Sequence, residues 1–286
     1  MLLLVILQMI SKGIGFIIIA VFSFSIMNVM AKHLSAMHPM QVVFFRAFGS
    51  IAFILPYMLI NRVSIIGNHP KLLFLRAFVG IISLATFFWA IQRIPLGSAI
   101  SIRYLGPIFG AVLAYYFLKE KVNYKQWLSF GIAFSGVLVL KGFDYRIDLF
   151  SFSLVLISAF FVGMVFALIR YLGTREHFFT IINYFLSLAT ISGLAFVSYW
   201  RMPVGEEWWS VIGIGIFGLI GQVFMTKAFQ LEEASILAPF KYLELIFSVF
   251  IGLLIFSEGY DLIAYVGMIL IIGGMVLNVY FKEKKV

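Results

Sequence analysis

The stretch RYLGPIF at residues 103–109 recurs as KYLELIF at residues 241–247, at an offset of 241 − 103 = 138 residues. The same offset, applied without a gap, also aligns positions near both ends of the chain. These further matches are KHL at 32–34 with RYL at 170–172, Phe22 with Phe160, Glu120 with Glu258, and Gly136 with Gly274. A single shift that holds over so much of the sequence predicts that the chain is a duplication of one half.

The composition indicates that both halves lie in a membrane. Of the 286 residues, 63% are hydrophobic and 12% are charged, and the mean hydropathy is +1.08, whereas soluble domains contain about 25% charged residues. We therefore expect a polytopic integral membrane protein. The chain has no cysteine, which excludes disulfides, thiolate nucleophiles and cysteine-ligated metal or iron–sulfur sites.

Ten apolar runs of roughly 20 residues are each long enough to cross the ~30 Å hydrocarbon core as a helix. They show no alternation with a period of two, which a membrane β-barrel would require. We therefore predict an all-α integral membrane fold with ten transmembrane helices. The predicted spans are 13–32, 41–60, 72–91, 97–118, 124–141, 149–170, 178–199, 208–229, 235–256 and 261–281.

Each copy of the repeat holds five of these spans, the first copy at 13–141 and the second at 149–281. Because five is odd, the second copy must enter the membrane inverted, and a pseudo-two-fold axis in the membrane plane relates the copies. Inverted-topology repeats of this kind are typical of secondary transporters, whose sites lie near the bilayer midplane. Residues 1–12 form an N-terminal apolar extension too short to span, and 282–286 form a basic C-terminal tail.

The basic residues predict the orientation of the chain. With the N-terminus in the cytoplasm, thirteen of the 21 Lys and Arg residues, Arg76 among them, fall on the cytoplasmic side and five on the other. This is the direction of the positive-inside bias, so both termini are expected in the cytoplasm. The net charge of +9 then reflects cytoplasmic loops rather than a nucleic-acid partner. The three remaining residues, Arg46, Arg103 and Lys241, are predicted inside the bilayer.

Three ionisable residues near the centre of the predicted bundle are candidates for a solute or proton path. Arg103 and Lys241 are symmetry mates at the 138-residue offset, and Glu244 falls near the midplane. A charge there costs roughly 2.5 to 3.5 kcal/mol against lipid, so such residues normally face a wet cavity. Two local alternatives stay open: Lys241 and Glu244 can form an i,i+3 ion pair, and Arg46, near a helix end, can snorkel to the interface.

Two prolines predict interruptions in the same region. Pro107 and Pro239 have no N–H, so the carbonyls of Arg103 and Ser235 lose their helical donors. Interrupted helices at comparable places in two inverted halves indicate the binding site of a transporter. The match is approximate, because the two prolines are six positions out of register at the 138-residue offset.

Aromatic and uncharged polar residues on the same or adjoining helices are further candidates for the site. Aromatic rings can stack on a planar solute or contact a cation, although at 18% of the chain they can equally line a cavity by chance. Polar side chains can equally hydrogen-bond a neighbouring helix. With the charged residues, the predicted substrate-binding set is Asn28, Arg46, Trp89, Ser101, Arg103, Tyr104, Asn183, Tyr184, Gln222, Lys241, Tyr242 and Glu244.

Motifs for catalysis, metals and cofactors are weak throughout the sequence. GIGIFG at 213–218 fits the dinucleotide pattern G-x-G-x-x-G, but no strand–helix–strand unit surrounds it, so a helix-packing face is the better interpretation. The four histidines lie near loops without metal-ligand spacing, and neither a Walker lysine motif nor a Ser/His/Asp grouping occurs. We expect no enzymatic activity, no metal site and no cofactor.

The segment SAISIRYLGPIFGAVLAYYFLKEKVNYKQWLSFGIAFSGVLVL has an inverted copy, EASILAPFKYLELIFSVFIGLLIFSEGYDLIAYVGMILIIGGMVL. Together with the two five-helix copies, these segments resemble the drug/metabolite transporter superfamily in its ten-helix EamA-type branch. The resemblance implies a carrier of amino acids, nucleotide-like cofactors, vitamins or organic anions, without specifying which.

We therefore expect a secondary active transporter of a small metabolite (an organic anion, amino acid or cofactor-like solute) that works by alternating access in a bacterial inner membrane. Arg103 and Lys241 would hold carboxylate or phosphate groups, and Glu244 would balance Lys241 or bind a proton or an amine. Two alternatives stay open: proton-coupled export of cationic or aromatic compounds through Glu244, and a non-transporting membrane partner or lipid-handling subunit. The expected partners are the solute and the lipid bilayer, with a coupled proton or counter-solute and a homodimer left open.

Overall fold

The computed structural model describes residues 12–118, 123–232, 237 and 240–281. Most of the predicted N-terminal extension (residues 1–11), the basic tail at 282–286 and the proline at 239 lie outside the described residues.

Helices account for all the regular structure in the described part of the chain. Because α4 and α5 are two parts of one span, the eleven helices make ten spans, which confirms the predicted all-α fold. The helices are α1 (Lys12–His33), α2 (Pro39–Ile60), α3 (Pro70–Ile91), α4 (Leu96–Arg103), α5 (Gly106–Leu118), α6 (Tyr124–Phe143), α7 (Leu149–Leu172), α8 (Phe178–Leu194), α9 (Glu207–Leu231), α10 (Leu243–Phe256) and α11 (Leu262–Phe281).

The length and hydropathy of these helices fit a membrane protein. Five of the described helices (α1, α2, α3, α7 and α9) are long and apolar enough to cross a bilayer, and α8, α10 and α11 contain shorter apolar helices of the same character. Large apolar side chains such as Phe53, Leu128 and Leu254 are well over half exposed on their outer faces, as lipid contact requires. The protein is therefore an integral membrane protein.

Local sequence signals set several of the helix starts. Helices α2 and α3 begin with proline, whose missing N–H costs nothing at that position. The Asn123 side chain accepts from Gln126 N at 2.9 Å, and the Gln126 side chain accepts from Asn123 N at 3.2 Å, which is a capping box at the start of α6. Asp148 accepts from Ser151 N at 3.0 Å and caps α7.

The fourth span is broken where the sequence predicts an interruption. Helix α4 ends at Arg103, and α5 begins at Gly106, with Tyr104 and Leu105 in a turn between them. Pro107 cannot donate to the carbonyl of Arg103, so the helical hydrogen-bond ladder stops at this place. The ninth span is also irregular near its start, since Tyr242 lies in a turn and α10 begins at Leu243.

The predicted seventh span, 178–199, is too long, because α8 ends at Leu194. Beyond this residue the chain turns, and the rings of Phe196 and Tyr199 stack on His38 with centroids 5.4 and 5.5 Å away. Aromatic packing against the connection between α1 and α2 therefore replaces the last helical turn.

Helix pairing shows the two copies of the repeat directly. Helix α1 packs on α9, and their respective counterparts, α7 and α3, pack on each other in the same way. Likewise α9 packs on α2, and their counterparts, α3 and α8, pack on each other. Helices α6 and α11, which are each other's counterparts, form the most extensive pair. Each contact between the copies thus has a second contact with the roles exchanged, as a two-fold relation requires.

Glycines in the α6–α11 pair give this relation at atomic detail. A methyl group built on Gly136 would lie 2.8 Å from Ile271 N, and one on Gly274 would lie 2.5 Å from Ala133 N. Ala133 and Ile271 are themselves mates at the 138-residue offset. The two helices therefore run antiparallel around a local two-fold axis, which is the geometry of two five-helix repeats with inverted topology.

Candidate functional site

A cavity of about 110 Å³ lies between the two repeats. Side chains from both repeats line it, and α6 and α11 contribute none of the lining that the structure describes. Its walls are mostly apolar, and the charged and polar side chains that line it come from several helices of both repeats. These polar residues are Asn28, Arg46, Arg76, Ser83, Arg103, Tyr104, Gln222, Lys241 and Glu244.

The two irregular spans meet at a pair of tyrosines beside this cavity. Tyr104 and Tyr242 are mates at the 138-residue offset, and their rings pack edge to face with centroids 5.3 Å apart. The Tyr104 hydroxyl donates to the carbonyl of Lys241, whereas the Tyr242 hydroxyl is buried without a hydrogen-bond partner in the structure. The pair is therefore symmetric in position but asymmetric in bonding.

Glu244 is held from two sides. Asn28 Nδ2 donates to Glu244 Oε1 at 3.0 Å, and the Tyr104 hydroxyl lies 3.4 Å from Oε2. Ser248 Oγ donates to the Glu244 carbonyl at 2.5 Å. Glu244 is 9% exposed and lines the cavity, so its carboxylate can accept an additional donor from a solute.

Lys241 does not form the i,i+3 ion pair with Glu244 that the sequence leaves open. Both residues are described, and no contact of 4 Å or less joins their charged atoms among the ion pairs of the described chain. Instead Lys241 Nζ lies 4.0 Å from the centroid of Phe166 and 5.9 Å from that of Phe229. An ammonium over two rings gains cation–π attraction while its charge remains available to the cavity.

Arg103 is placed in a similar way. Its guanidinium carbon lies 4.0 Å from the centroid of Phe87, and its Nε has no acceptor in the structure. The symmetry mates Arg103 and Lys241 are thus both stacked on phenylalanine rather than neutralised by a carboxylate.

Arg46 and Arg76 approach the same ring, Phe185 of α8. Their guanidinium carbons lie 5.1 and 5.0 Å from its centroid. Arg46 also donates from Nη2 to Gln222 Oε1 at 3.2 Å, and its Nε lies 3.2 Å from the sulfur of Met27. At 3% exposure Arg46 does not snorkel to the interface, because it lies seven residues into α2 on the face toward the cavity.

The position of Arg76 corrects its predicted cytoplasmic location. The side chain is 2% exposed and lines the cavity. Helix α3 begins at Pro70, two residues earlier than predicted, so Arg76 is more than one turn inside. Gly80 and Ser83 follow it on the same face of α3 and also line the cavity. This small and polar stripe at i, i+4 and i+7 is the sequence signal that could have found it.

The cavity carries an excess of positive charge. Among its described lining residues four are cations and one is a carboxylate. Buried charges are normally paired, because desolvation costs several kcal/mol per ion. The cations are Arg46, Arg76, Arg103 and Lys241.

Five of the predicted site residues do not line this cavity. Trp89 is 41% exposed at the end of α3 and packs on Phe150. The Tyr184 hydroxyl donates at 2.9 Å to the carbonyl of Ile66, in the connection between α2 and α3. The other three are buried: Ser101 donates to the carbonyl of Gly97 in its own helix, Asn183 lies outside the lining, and Tyr242 packs behind Tyr104.

Charged networks join helices and connections at the two ends of the bundle. Lys32 Nζ lies 2.5 Å from Glu258 Oε1, and Glu258 Oε2 accepts from Leu96 N at 2.8 Å, at the start of α4. Nearby, Arg146 pairs with Asp144 at 2.8 Å, and this hydrogen bond raises the pKa of Arg146. Ser98 Oγ of α4 donates to Asp144 Oδ2 at 3.1 Å, so these contacts tie α1, the start of α4 and two connections together.

A second network lies at the opposite end. Glu176 Oε1 accepts from the backbone N of Asn68 at 2.7 Å and of His69 at 2.6 Å. Gln230 Nε2 donates to the carbonyl of Gly173 at 3.3 Å. The connection between α2 and α3 is thereby joined to the connection between α7 and α8.

Two inverted five-helix repeats, broken helices and a charged cavity between the repeats define a membrane transporter for small solutes. The chain belongs to the EamA-like transporter family, whose model matches residues 11–141 and again residues 149–280. This confirms the resemblance to the drug/metabolite transporter superfamily.

Several relatives are similar over nearly the whole chain. The chain is 31% identical over 273 residues to the pseudopaline exporter CntI of Pseudomonas aeruginosa, covering 93% of this chain and 95% of that protein. It is 27% identical over 278 residues to the S-adenosylmethionine uptake transporter of Rickettsia felis, covering 95% and 94%. It is 26% identical over 267 residues to human solute carrier family 35 member G1, covering 86% and 73%.

A crystal structure is also similar, with a TM-score of 0.70 over 93% of this chain and 96% of its own chain. At 16% identity this likeness supports the fold alone.

Proposed function

We propose that the protein is a secondary active transporter that carries a small organic solute with an acidic group across the bacterial inner membrane. The solute binds between the repeats, and the two repeats exchange conformations so that the cavity opens to either side in turn. Both termini lie in the cytoplasm. The observation that carries the proposal is the excess of buried cations beside the junction of the two irregular spans.

The acidic group is inferred from the state of these cations. Arg103 and Lys241 are stacked on phenylalanine, and no carboxylate of the described residues lies within salt-bridge distance of either. A carboxylate or phosphate can form charge-assisted hydrogen bonds with both, and such bonds are about twice as strong as neutral ones. The S-adenosylmethionine carried by the relative in Rickettsia felis is an α-amino acid, and its carboxylate has the chemistry that these cations would recognise.

Glu244 supports an amine on the same solute. Its carboxylate is fixed by Asn28 and reaches the cavity, so it can accept from an ammonium group. Since four cations outnumber this carboxylate, export of a purely cationic compound is the weaker candidate. A membrane partner without transport activity would need neither the polar cavity nor the separation of Lys241 from Glu244, and the relatives are named as transporters.

Alternating access is supported by the size of the cavity and by the polar networks at both ends of the bundle. About 110 Å³ is smaller than the ~300–1,000 Å³ of ordinary ligand sites, so helices must separate before a metabolite can enter. The networks around Glu258 and Glu176 join different connections at opposite ends. Opening one end while the other stays closed is the motion that inverted repeats permit.

A thermal-shift screen on purified protein in detergent tests the proposal. The probes are carboxylates, phosphates, amino acids and cationic aromatic compounds, applied to the wild type, Lys241→Gln and the control Lys125→Gln, which lies at the start of α6 beside Phe281. A ligand at one hundred times its Kd stabilises by about 2.7 kcal/mol. We expect acidic probes to stabilise the wild type and the control but not Lys241→Gln. Stabilisation by cations alone, or an equal response in Lys241→Gln, would contradict the proposal.

A further inference from the structure

Arg46, Phe185 and Arg76 form an arrangement that we name the arginine clamp. Arg46 belongs to α2 and Arg76 to α3, both in the first repeat, whereas Phe185 belongs to α8 in the second. The two guanidinium carbons lie 5.1 and 5.0 Å from the centroid of the ring. The clamp therefore joins the two repeats at the wall of the cavity.

The clamp retains unused donors in a buried position. Arg46 is 3% exposed and Arg76 is 2% exposed, and both line the cavity. Arg46 Nη1, Arg76 Nε and Arg76 Nη1 have no acceptor in the part of the protein that the structure describes. A guanidinium that stacks its face on a ring leaves its N–H edge free, and that edge matches a carboxylate or phosphate in a planar fork.

The fold itself does not require the clamp. At the 138-residue offset Arg46 corresponds to Tyr184 and Arg76 to Ile214, so the second repeat forms the same helices without either charge. Two buried cations on one ring are costly to desolvate and repel each other, and apolar residues of similar volume are often at least as stable. A recognition role explains why both are present.

The clamp is also distinct from the cations on the irregular spans. Arg103 and Lys241 follow the repeat and stack on Phe87 and Phe166, whereas the clamp residues lie on α2 and α3 and share Phe185. After Glu244 is subtracted, three positive charges remain in the described lining. A solute with one acidic group and one amine has no net charge and would leave all three unneutralised, whereas a second acidic group would neutralise one of them.

We propose that the arginine clamp is a second acid-binding subsite, and that the transported solute is an amino diacid. One acidic group binds the clamp, the other binds Arg103 and Lys241, and the amine faces Glu244. This rests on the proposed transport function and specifies its substrate class. The shared chemistry of the second group is that of a carboxylate or a phosphate.

Matched pairs of amino acids test this subsite. L-glutamate has a side-chain carboxylate where L-glutamine has an amide, and phosphoserine has a phosphate where serine has a hydroxyl. We expect the wild type to bind the diacid of at least one pair at least about tenfold more tightly than its partner, because each charge-assisted hydrogen bond is worth that much. The two pairs distinguish a carboxylate from a phosphate as the second acidic group.

Variants then locate the preference. In Arg76→Gln and Arg46→Gln we expect the diacid preference to fall toward unity, while binding of glutamine and serine stays within about threefold. Arg93→Gln is the matched control, since Arg93 stacks on Phe150 and binds Ser151 outside the cavity. The control should keep the preference. Arg76→Lys, which keeps the charge but not the fork, should retain part of it.

The outcomes separate this inference from the function on which it rests. If neither the diacids nor their partners bind the wild type, the amino diacid is overturned as the substrate class, whereas the acid-binding transport proposal is overturned only if the whole panel of acidic probes also fails. If the wild type binds both members of each pair equally, the second subsite alone is overturned, and this result needs no variant. If the preference survives in both clamp variants, the clamp is not its source.

Discussion

Removing the hydroxyl of Tyr104 and removing that of Tyr242 should shift the ratio of the transporter's two conformations in opposite directions. In this structure Tyr104 donates to the carbonyl of Lys241, and the Tyr242 hydroxyl has no hydrogen-bond partner. The symmetric counterpart of that bond would run from Tyr242 to the carbonyl of Arg103, whose helical donor is missing because of Pro107. If the repeats exchange conformations, the two bonds should exchange with them.

The size of the effect follows from one neutral hydrogen bond. Tyr104→Phe removes a bond that exists only in the present conformation, and Tyr242→Phe removes one that exists only in the opposite conformation. A net contribution of about 0.5 to 1.5 kcal/mol per hydrogen bond changes the ratio of the two conformations by about 2- to 13-fold. The two variants should shift this ratio in opposite senses by similar amounts.

Cysteine labelling can measure this ratio because the natural chain has no cysteine. A single cysteine at Met225, which lines the cavity, is labelled with a membrane-impermeant maleimide in right-side-out and inverted vesicles. The ratio of the two labelling rates reports which side has access. Ser101→Ala is the control, because its buried hydroxyl bonds only within α4. A shift in the same direction for both tyrosine variants, or no shift beyond the control, would refute the exchange of hydrogen bonds.

Three further predictions concern the ends, the packing and the charge of the bundle. Glu258→Gln removes the ion pair with Lys32 and should lower the free energy of unfolding by about 2 kcal/mol, measured as a lower Tm. An unchanged Tm would contradict a role of this ion pair in holding the end of the bundle together. Gly274→Ala should destabilise by about 1–3 kcal/mol, since the methyl would lie 2.5 Å from the α6 backbone, whereas the neighbouring Gly273→Ala, which meets open space, should stabilise slightly; equal Tm values for the two would argue against the close approach. Glu244→Gln should weaken the binding of amino acids relative to that of the same acids without the amine, measured in a thermal-shift series. If the ranking of these compounds were unchanged in the variant, a role of Glu244 in binding amines would be excluded.

The repeat and the spans could be predicted because their signals are local in the sequence. A run of apolar residues long enough to cross the bilayer is visible without any partner, and the constant offset between RYLGPIF at 103–109 and KYLELIF at 241–247 relates the two halves directly. Pro107 likewise marks the break between α4 and α5 from its own chemistry. The seventh span was predicted too long, because its end depends on stacking against His38 from another part of the chain.

The lining of the cavity was harder to predict because it depends on how each helix is rotated. Trp89 and Tyr184 lie on helices that border the site, yet the first faces outward and the second bonds to the connection before α3. Arg76 lies close enough to a predicted helix end to resemble a snorkelling residue, but its face of α3 points inward. Phe185 has no polar atom, and only its contacts with two arginines single it out.

The packing of α5, in the first repeat, against α7, in the second, explains why the cavity has its carboxylate in the second repeat. The symmetry mate of Glu244 is Gly106, and a methyl group there would lie 2.5 Å from Val162. A methyl group on Gly163 would lie 2.6 Å from the carbonyl of Gly106. Helices α5 and α7 therefore touch nearly backbone to backbone, and this interface has no room for a side chain.

The second repeat has polar residues at the positions where α5 of the first repeat has glycines. Glu244 and Ser248 stand where the first repeat has Gly106 and Gly110, and Glu244 bonds to Asn28 of α1 across the equivalent interface. One interface between the repeats is thus closed by glycine contacts, while its counterpart holds a hydrogen-bonded carboxylate. If the two halves exchange conformations as proposed, they would still present different groups to the solute, so that a symmetric motion would act on a solute whose ends differ.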